Sequence, residues 1–510
     1  MKKTVIILSI VLIGLLGYGY ISNEGNTTYE ELRSVEKPNI ILLMGDDHGW
    51  EETGYNGHPF IKTPVLDVMA KNGLVLDRFY SAHPTCSPTR GSIITGRHPN
   101  RYGTFAPGWS IRPEEISIAK LLKDAGYTTG HFGKWHLGPV KEGSPTNPGA
   151  MGFETWVSHD NFFEMDPILS RNGAPPLKLK GEGSEVIINE AISFIKNSQK
   201  KDSPFFAVVW FGSPHEPYQS LPEDLELYKN LPDSLANLSV RLTSLETGKQ
   251  VFRSMDSVLK NRFSEITAMD RAIGKLRKHL KSGSIQDNTI IWYCGDNGIP
   301  SSGLYNSSLN GLKGTVYEGG TRVPGIIEWP NRIKESGISN MSTVTTDIFP
   351  TLCDLVGLEL PDRPMDGISL MPLINYKIEE RSKPIYFWNF DTKHLTDSVP
   401  YIESVLQQGT TPMAKISNGV FTRNFKNYHH DQITKEDYLG DRAILDNNYK
   451  LIINKIEGNE VKQLYNVIED KSETINLIKT YPEIADKLEK QMEEWQQSVL
   501  ISLTEKDYSK

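Results

Sequence analysis

A chain of 510 residues, 38% apolar and 23% charged, is long enough to bury one large core and a smaller one beside it. A formal net charge of −8, with no basic run beyond Lys2-Lys3, argues against a nucleic-acid partner, because little is available to neutralise phosphates. Three cysteines, an odd number, exclude a fully paired disulfide framework.

Residues 1–22 open with Lys2 and Lys3 and continue as the apolar run "VIILSIVLIGLL", Val5 to Leu16. A basic start and a short apolar stretch describe a secretory signal, whereas a spanning helix needs about 20 apolar residues. The expectation is an exported protein, periplasmic or secreted. Counting on through Ile21, with no A-x-A cleavage site, leaves a retained membrane anchor open.

Three later segments repeat one design. "PNIILLMGDDHGW" is an apolar strand, Asn39 to Met44, that runs into Gly45-Asp46-Asp47. "SPFFAVVWFGSPHEPY" ends its apolar run in Gly212-Ser213-Pro214-His215, and "TIIWYCGDNG" ends in Gly295-Asp296-Asn297. Helical patterns lie between: "ISIAKLLKDAGY" stops at Gly126, and "FSEITAMDRAIGKLRKHLKSG" sets Ile266, Met269, Ile273, Leu276 and Leu280 on one stripe. Apolar strands alternating with amphipathic helices predict an α/β fold, a large and mostly parallel sheet sandwiched by helices. Ligands in such folds gather beyond the carboxyl ends of the strands, where these three segments deliver Asp, Asn and His.

Asp46, Asp47, Asp296 and Asn297 form an all-oxygen set, suited to calcium or magnesium rather than zinc. Taken singly, these are turn residues; their matching places at two strand ends favour a metal site. In "TTGHFGKWHLG", Lys134 and His136 stand two apart, on one side of the chain if the segment is extended. Lys313 lies in the glycine-rich "NGLKGTVYEGGTRVP". Cys86 opens a helical pattern in "HPTCSPTRGSIITG", with Pro88 near the first helical position and Arg90 at i+4 on the same face. A helix start also offers free N–H groups and partial positive charge to an anion. Together these residues describe a pocket with a metal, a cluster of cations and a nucleophile. Cys294, at a strand end, and Cys353, on an apolar helix face, read as buried free thiols.

The polar stretch from Tyr218 to Arg262 reads as helical and carries no assignable role. Beyond about residue 380, "PIYFWNF", "RAILDNNYKLIINKI" and "KQLYNVIED" read as short alternating strands, followed by a helix from about Pro482 to Val499. Trp388 and Tyr401 are expected in core packing, with a place in the substrate cleft as the alternative.

At these residues the chain resembles the type I sulfatases, in their arylsulfatase A and N-acetylgalactosamine-6-sulfatase branch of the alkaline phosphatase superfamily. "CSPTR" fits the family's C-x-P-x-R pattern. "GKWHLG", "GLKGTVYEGGTRVP", the Asp46-Asp47 pair, "SPHEP" and "GDNG" match its other landmarks in order, from about Asn39 to about Leu373. The resemblance implies a catalytic sulfatase domain over residues 37–379 and a C-terminal α+β subdomain with an antiparallel sheet over 380–510. It implies that a formylglycine-generating or sulfatase-maturating enzyme oxidises Cys86 to Cα-formylglycine, and that Asp46, Asp47, Asp296 and Asn297 hold Ca²⁺ with residue 86 beside it. Arg90 would orient residue 86, Lys134, Lys313 and Ser158 of "VSHD" would contact sulfate, His136 would be the base and His215 the acid. The implied substrate is a sulfated carbohydrate, a polysaccharide or glycosaminoglycan. Three alternatives stay open: a phosphate mono- or diester hydrolase of the same superfamily, a non-catalytic glycan-binding relative, and a hydrolase using the unmodified Cys86 thiol.

Overall fold

The strand Asn39–Gly45 sets the frame. Ile40, Leu42 and Met44 point into one core, Ile41 and Leu43 into another, and all five are buried. A strand apolar on both faces belongs inside a sheet that is covered on both sides. Phe205–Trp210 and Thr289–Gly295 flank it in parallel, and Thr128–Lys134 and Thr155–His159 extend the sheet beyond Phe205–Trp210. Among the described residues this sheet has ten strands, and antiparallel neighbours, Gly325–Glu328 and Ile168–Arg171, border the parallel centre. The expectation of a mostly parallel sheet holds for its five central strands.

The computed structural model describes residues 37–508, apart from the internal stretches 162–164, 245–248, 396–398, 408–412, 416–418 and 422–424. The signal or anchor read in residues 1–22 lies outside the described residues. On one face of the sheet, the helices Gly183–Lys200 and Met255–Ser282 supply Ile187, Ile195, Met269, Ile273, Leu276 and Leu280 to the core. The other face is covered by Cys86–Thr95, Ile118–Asp124 and Ile348–Val356. Each fully buried aliphatic side chain contributes about 1.5–3 kcal/mol, so these two layers hold the strand ends in place.

The C-terminal part is a four-stranded antiparallel sheet in the order Ile385–Phe390, Gly440–Asp446, Tyr449–Ile456, Asn459–Asn466. The helix Pro482–Leu503 packs Leu488 and Met492 on Ile444, Leu451 and Leu464 of one face. The opposite face, through Phe387, Leu445 and Ile452, packs on Tyr80, Val316 and Val344 of the larger part. Residues from Asn39 onward accordingly form one compact unit.

The stretch Tyr218–Arg262 differs from its helical reading. It contains an antiparallel ribbon, Ser239–Thr243 paired with Gln250–Ser254, before the long helix begins at Met255. Val240 and Leu242 alternate with Ser239, Arg241 and Thr243, a period of two that outweighs the helical composition. Trp388 is fully buried and the Tyr401 hydroxyl bonds the carbonyls of Ser110 and Ile111 at 3.2 and 3.3 Å, so both serve packing. All three cysteines are free and buried. No helix among the described residues is long and apolar enough to cross a membrane.

Candidate active site

Parallel register brings the predicted residues to one edge. Gly45 lies opposite Gly295, Met44 and Gly133 both pair with Trp210, and Lys134 pairs with His159, so five strands end together. Backbone bonds lock the loops that follow: Asp46 N–H donates to the Ser213 carbonyl at 3.0 Å and Asp296 N–H to the Gly45 carbonyl at 3.1 Å. The chain turns through a left-handed conformation at Asp47 (φ 62°), whose N–H donates to Asp296 Oδ1 at 2.9 Å. Gly298 is required by contact, since a Cβ there would stand 1.8 Å from the Gly319 carbonyl oxygen of the loop bearing Lys313.

Cys86 is the first residue of the helix Cys86–Thr95, every residue of which is buried. Its Sγ lies 3.4 Å from Asp46 Oδ1 and 3.7 Å from Asp47 Oδ1. One turn on, the Arg90 guanidinium donates to Asp296 Oδ2 at 2.8 Å and the Lys134 carbonyl at 2.9 Å, with its flat face 5.1 Å from the Trp210 ring centroid. The Lys134 ammonium bonds Asp46 Oδ2, and that of Lys313 bonds Asp47 Oδ1 at 2.5 Å. His215 Nε2 stands 3.8 Å from Asp47 Oδ2. One donor atom from each of Asp46, Asp47, Cys86 and His215 falls within 4.8 Å of the others.

Two predicted residues are placed differently. Lys134 closes its strand, but His136 adopts a left-handed backbone (φ 56°), so strand alternation does not relate the pair. The His136 ring lies edge-on to Phe425, outside the four-residue cluster. Ser158 is buried in Thr155–His159, and its hydrogen-bond partners among the described residues are the ring and carbonyl of His131, at 2.8 and 3.4 Å.

The charges oppose burial unequally. Burial alone would raise every carboxyl here. For Asp46, Lys134 leads the cations that outweigh it and hold the group well below the usual carboxylate range. Asp47 also moves down despite burial, with Lys313 its main counter-charge. Asp296 goes up to about 7, driven by burial and then by the charge of Asp46. Burial pushes the Cys86 thiol well up, beyond what Lys134 and Lys313 offset, so it stays protonated near neutrality. Burial likewise brings His215 down to about 4, against Asp47 and Asp46. Its Nδ1 lies 2.5 Å from the Glu216 carbonyl, which can only accept, so the neutral ring carries its proton on Nδ1 and turns Nε2 to the carboxylates.

This donor set fits a hard divalent cation. Asn297 Nδ2 donates to Asp47 Oδ1 at 2.9 Å, while Asn297 Oδ1 is buried with no hydrogen-bond partner. Leaving such an oxygen unmatched costs about 1–3 kcal/mol, which a coordinated cation would offset. Three acids, Asp46, Asp47 and Asp296, face three cations, Arg90, Lys134 and Lys313. A doubly charged ion added to that balance leaves the site positive, ready for an anionic ester.

One participant escaped the sequence reading. Arg262 is fully buried and donates to both Glu52 oxygens (2.6 and 2.7 Å), to the Asp47 carbonyl (2.5 Å) and to the Pro214 carbonyl (2.8 Å). It thereby ties the aspartate turn to the His215 loop. The available signal was an arginine in step with the buried residues Leu259, Phe263 and Ile266.

The sulfatase family model matches residues 38–358. The chain is 30% identical over 399 residues to N-acetylgalactosamine-6-sulfatase of Mus musculus, covering 70% of each chain. Over 356 residues it is 32% identical to an ulvan-active sulfatase of Formosa agariphila, covering 68% of this chain and 67% of that one. Its fold is similar to the crystal structure of Ps i-CgsB in complex with k-i-k-neocarrahexaose, with TM-score 0.72, 25% identity, and 91% and 93% of the two chains covered. With 30% identity over 70% of its length, a family model over residues 38–358, and acids, a thiol and cations at one sheet edge, the chain belongs to the sulfatase family and is a sulfuric ester hydrolase.

Proposed function

We propose that the enzyme removes sulfate from sulfated carbohydrates, with residue 86 as Cα-formylglycine and Ca²⁺ held by Asp46, Asp47, Asp296 and Asn297. The observation that carries this reading is the place of Cys86: a helix start, 3.4 Å from Asp46 Oδ1, on the same acids that Arg90, Lys134 and Lys313 engage. A buried thiol kept protonated is a weak nucleophile, which speaks for its conversion by a separate formylglycine-generating or sulfatase-maturating enzyme and against an unmodified thiol hydrolase. The carbohydrate class is supported by relatives named for N-acetylgalactosamine 6-sulfate and for ulvan, and by one bound to a neocarrahexaose.

When present, the ion and the modified side chain supply a Lewis acid and an activated hydroxyl group. The chain's own residues supply the rest. Lys134 and Lys313 grip sulfate oxygens and stabilise the charge that develops on them. Arg90, fixed between Asp296 and the Lys134 carbonyl, orients residue 86 from one turn along its helix. His136 is assigned the base beside residue 86. Ser158 would reach the sulfate side of the pocket in company with His131, which already engages its hydroxyl. His215 is assigned the acid at the departing oxygen. An anionic ester beside Nε2 raises the proton affinity of that ring, so a proton taken up with substrate can pass to the alkoxide, an effect of about 10²–10⁴ in rate. Residues 1–22 are proposed to export the chain, and residue 380 to mark the start of the C-terminal subdomain.

Peptide mass across residues 79–97, with desulfation assays on a panel of defined sulfated saccharides and matched phosphate esters, tests this. The expected result is loss of the Cys86 sulfur in active protein and turnover confined to sulfates. Full activity with an intact thiol overturns the formylglycine assignment, and preferred turnover of the phosphate esters overturns the substrate assignment.

A further inference from the structure

The ribbon Ser239–Thr243/Gln250–Ser254 pairs with no other strand among the described residues. Its inner face is occupied: Val240 and Leu242 pack with Tyr218 and Val258. Its outer face is open to solvent around Phe252 and Arg241, among the described residues. There, Arg241 lies directly across from Phe252, and Thr243 directly across from Gln250. Positions two apart on a strand share a face, so these four side chains form one row. Phe252 is 69% exposed, a large aromatic surface left to water, and Arg241 and Gln250 are exposed beside it.

The inner end of that row reaches the residue next to His215. Thr243 Oγ1 donates to Glu216 Oε1 at 3.2 Å, and accepts from Gln250 Nε2 at 2.8 Å. Glu216 follows His215, and its carbonyl is the one that fixes the His215 ring. The row therefore leads outward from the residue assigned to the leaving oxygen, the side on which the rest of the sugar chain must lie. Its chemistry suits that occupant. An exposed aromatic ring stacks on the apolar face of a pyranose, a flanking guanidinium pairs with a sulfate or carboxylate, and the amide and hydroxyl offer hydrogen bonds to ring hydroxyls. The charge is local: the ribbon sequence 239–254 carries Arg241, Lys249 and Arg253 against Glu246 alone, in a chain of net charge −8.

We propose that the outer face of this ribbon, led by Phe252 and Arg241, is a subsite for an anionic sugar unit next to the one being desulfated. The proposal rests on the sulfated-carbohydrate reading above and makes the enzyme selective for chain length. The similar sulfatase bound to a neocarrahexaose shows that a related fold accommodates a glycan of several units.

The test compares kcat/KM of the formylglycine-containing enzyme on p-nitrophenyl sulfate and on size ladders, from one sugar to four, prepared from ulvan, carrageenan and chondroitin sulfate. Wild type gains about ten-fold from one sugar to four on at least one ladder. The double substitution Phe252→Ala/Arg241→Ala removes that gain through KM, lowering the tetrasaccharide-to-aryl ratio about ten-fold, and Arg241→Lys on its own keeps part of it. A wild type with no gain on any ladder, or a double variant that keeps the gain, overturns the subsite while leaving sulfatase action in place. No turnover of any sulfate by modified protein overturns the reading beneath it as well.

Discussion

Lys134 and Lys313 each engage one aspartate of the same pair, yet they reach it by different routes. Lys134 closes a central strand and is fully buried, its partner across the sheet is His159, and Arg90 holds its carbonyl at 2.9 Å. Lys313 stands in a loop, its side chain 19% exposed. The braces on that loop come largely from the C-terminal sheet. Asn389 Nδ2 donates to the Gly314 carbonyl at 3.2 Å, the Tyr317 hydroxyl donates to Gln463 Oε1 at 2.6 Å, and Glu318 meets Lys450 at 3.0 Å. Lys450 is fully buried and also meets Glu473 at 3.1 Å. One arm of the site is thus set by strand register within a layer, the other by buried charges between layers. His215 belongs with the second kind, since Arg262 holds its loop from a helix. The rigid arm keeps the acids and residue 86 in place, and the braced arm carries Lys313 and His215, the groups proposed to meet the substrate from the open side.

The largest expected effect comes from emptying the rigid arm. Cys86→Ala should lower turnover at least about 10⁴-fold. Unfolding by urea should move by no more than about 1 kcal/mol, since only the small head group of residue 86 leaves a packed helix. Turnover within ten-fold of wild type would show that the acids and cations act without residue 86. Next is the braced arm's own chemistry. His215→Ala should cost about 10²–10⁴ on an alkyl or sugar sulfate and far less on an activated aryl sulfate, whose leaving group needs no proton. Equal losses on both would remove the acid assignment.

Breaking the brace rather than the reagent separates the two arms further. Lys450→Met removes the one cation that Glu318 and Glu473 share and leaves Glu318 with Arg322 at 3.6 Å, and removing one partner of a buried pair costs about 3–5 kcal/mol. Because Glu318 lies on the Lys313 loop, KM for the sulfate ester should rise as well, and adding Glu318→Gln should recover part of both losses. A KM that stays put while stability falls would reduce the C-terminal sheet to a scaffold. The metal set provides a further, smaller test. Ca²⁺ at about 100 times its dissociation constant should raise unfolding stability by about 2.7 kcal/mol in wild type and less in Asn297→Ala, whose unmatched oxygen is gone. Thermal melts with and without chelator read this independently of activity, and no calcium-dependent shift in wild type would contradict the proposed ligand set.

The same contrast explains what could be read in advance. The rigid arm was legible because each strand prints its own pattern: an apolar run followed at once by Asp46-Asp47 or Asp296-Asn297, with register doing the assembly. Cys86 and Arg90 were legible because four residues make one helical turn. The braces were not, because Arg262–Glu52 and Lys450–Glu318 join residues 210 and 132 positions apart, and no local period reports such a pair. Only their oddity was visible, a basic residue in step with apolar ones: Arg262 beside Leu259 and Ile266, Lys450 two residues before Ile452. The spacing of Lys134 and His136 carries less than it would in a strand, because the chain leaves the strand at Lys134 and turns at His136. In the outer ribbon, polar composition conceals a period of two.

Asp366 offers a control that joins the same two layers away from the site. It is held by Arg101 through both oxygens (2.7 and 2.9 Å), by the His98 N–H at 2.6 Å and by Trp495 Nε1, from the C-terminal helix, at 2.8 Å. Burial alone would raise this carboxyl, but the Arg101 guanidinium outweighs it and holds the group well below the usual carboxylate range. A folded value depressed below the unfolded one, about 3.9, stabilises the native state above that pH and is lost as the pH falls through the folded value. Asp366→Asn should therefore lower stability by about 2 kcal/mol at pH 7, and the gap from wild type should narrow as the pH falls below about 3.9. KM should not follow, because no bond of Asp366 reaches Lys313 or His215. If KM shifts with Asp366→Asn as it does with Lys450→Met, any loosening between the layers reaches the substrate, and Glu318 loses its claim to a specific path.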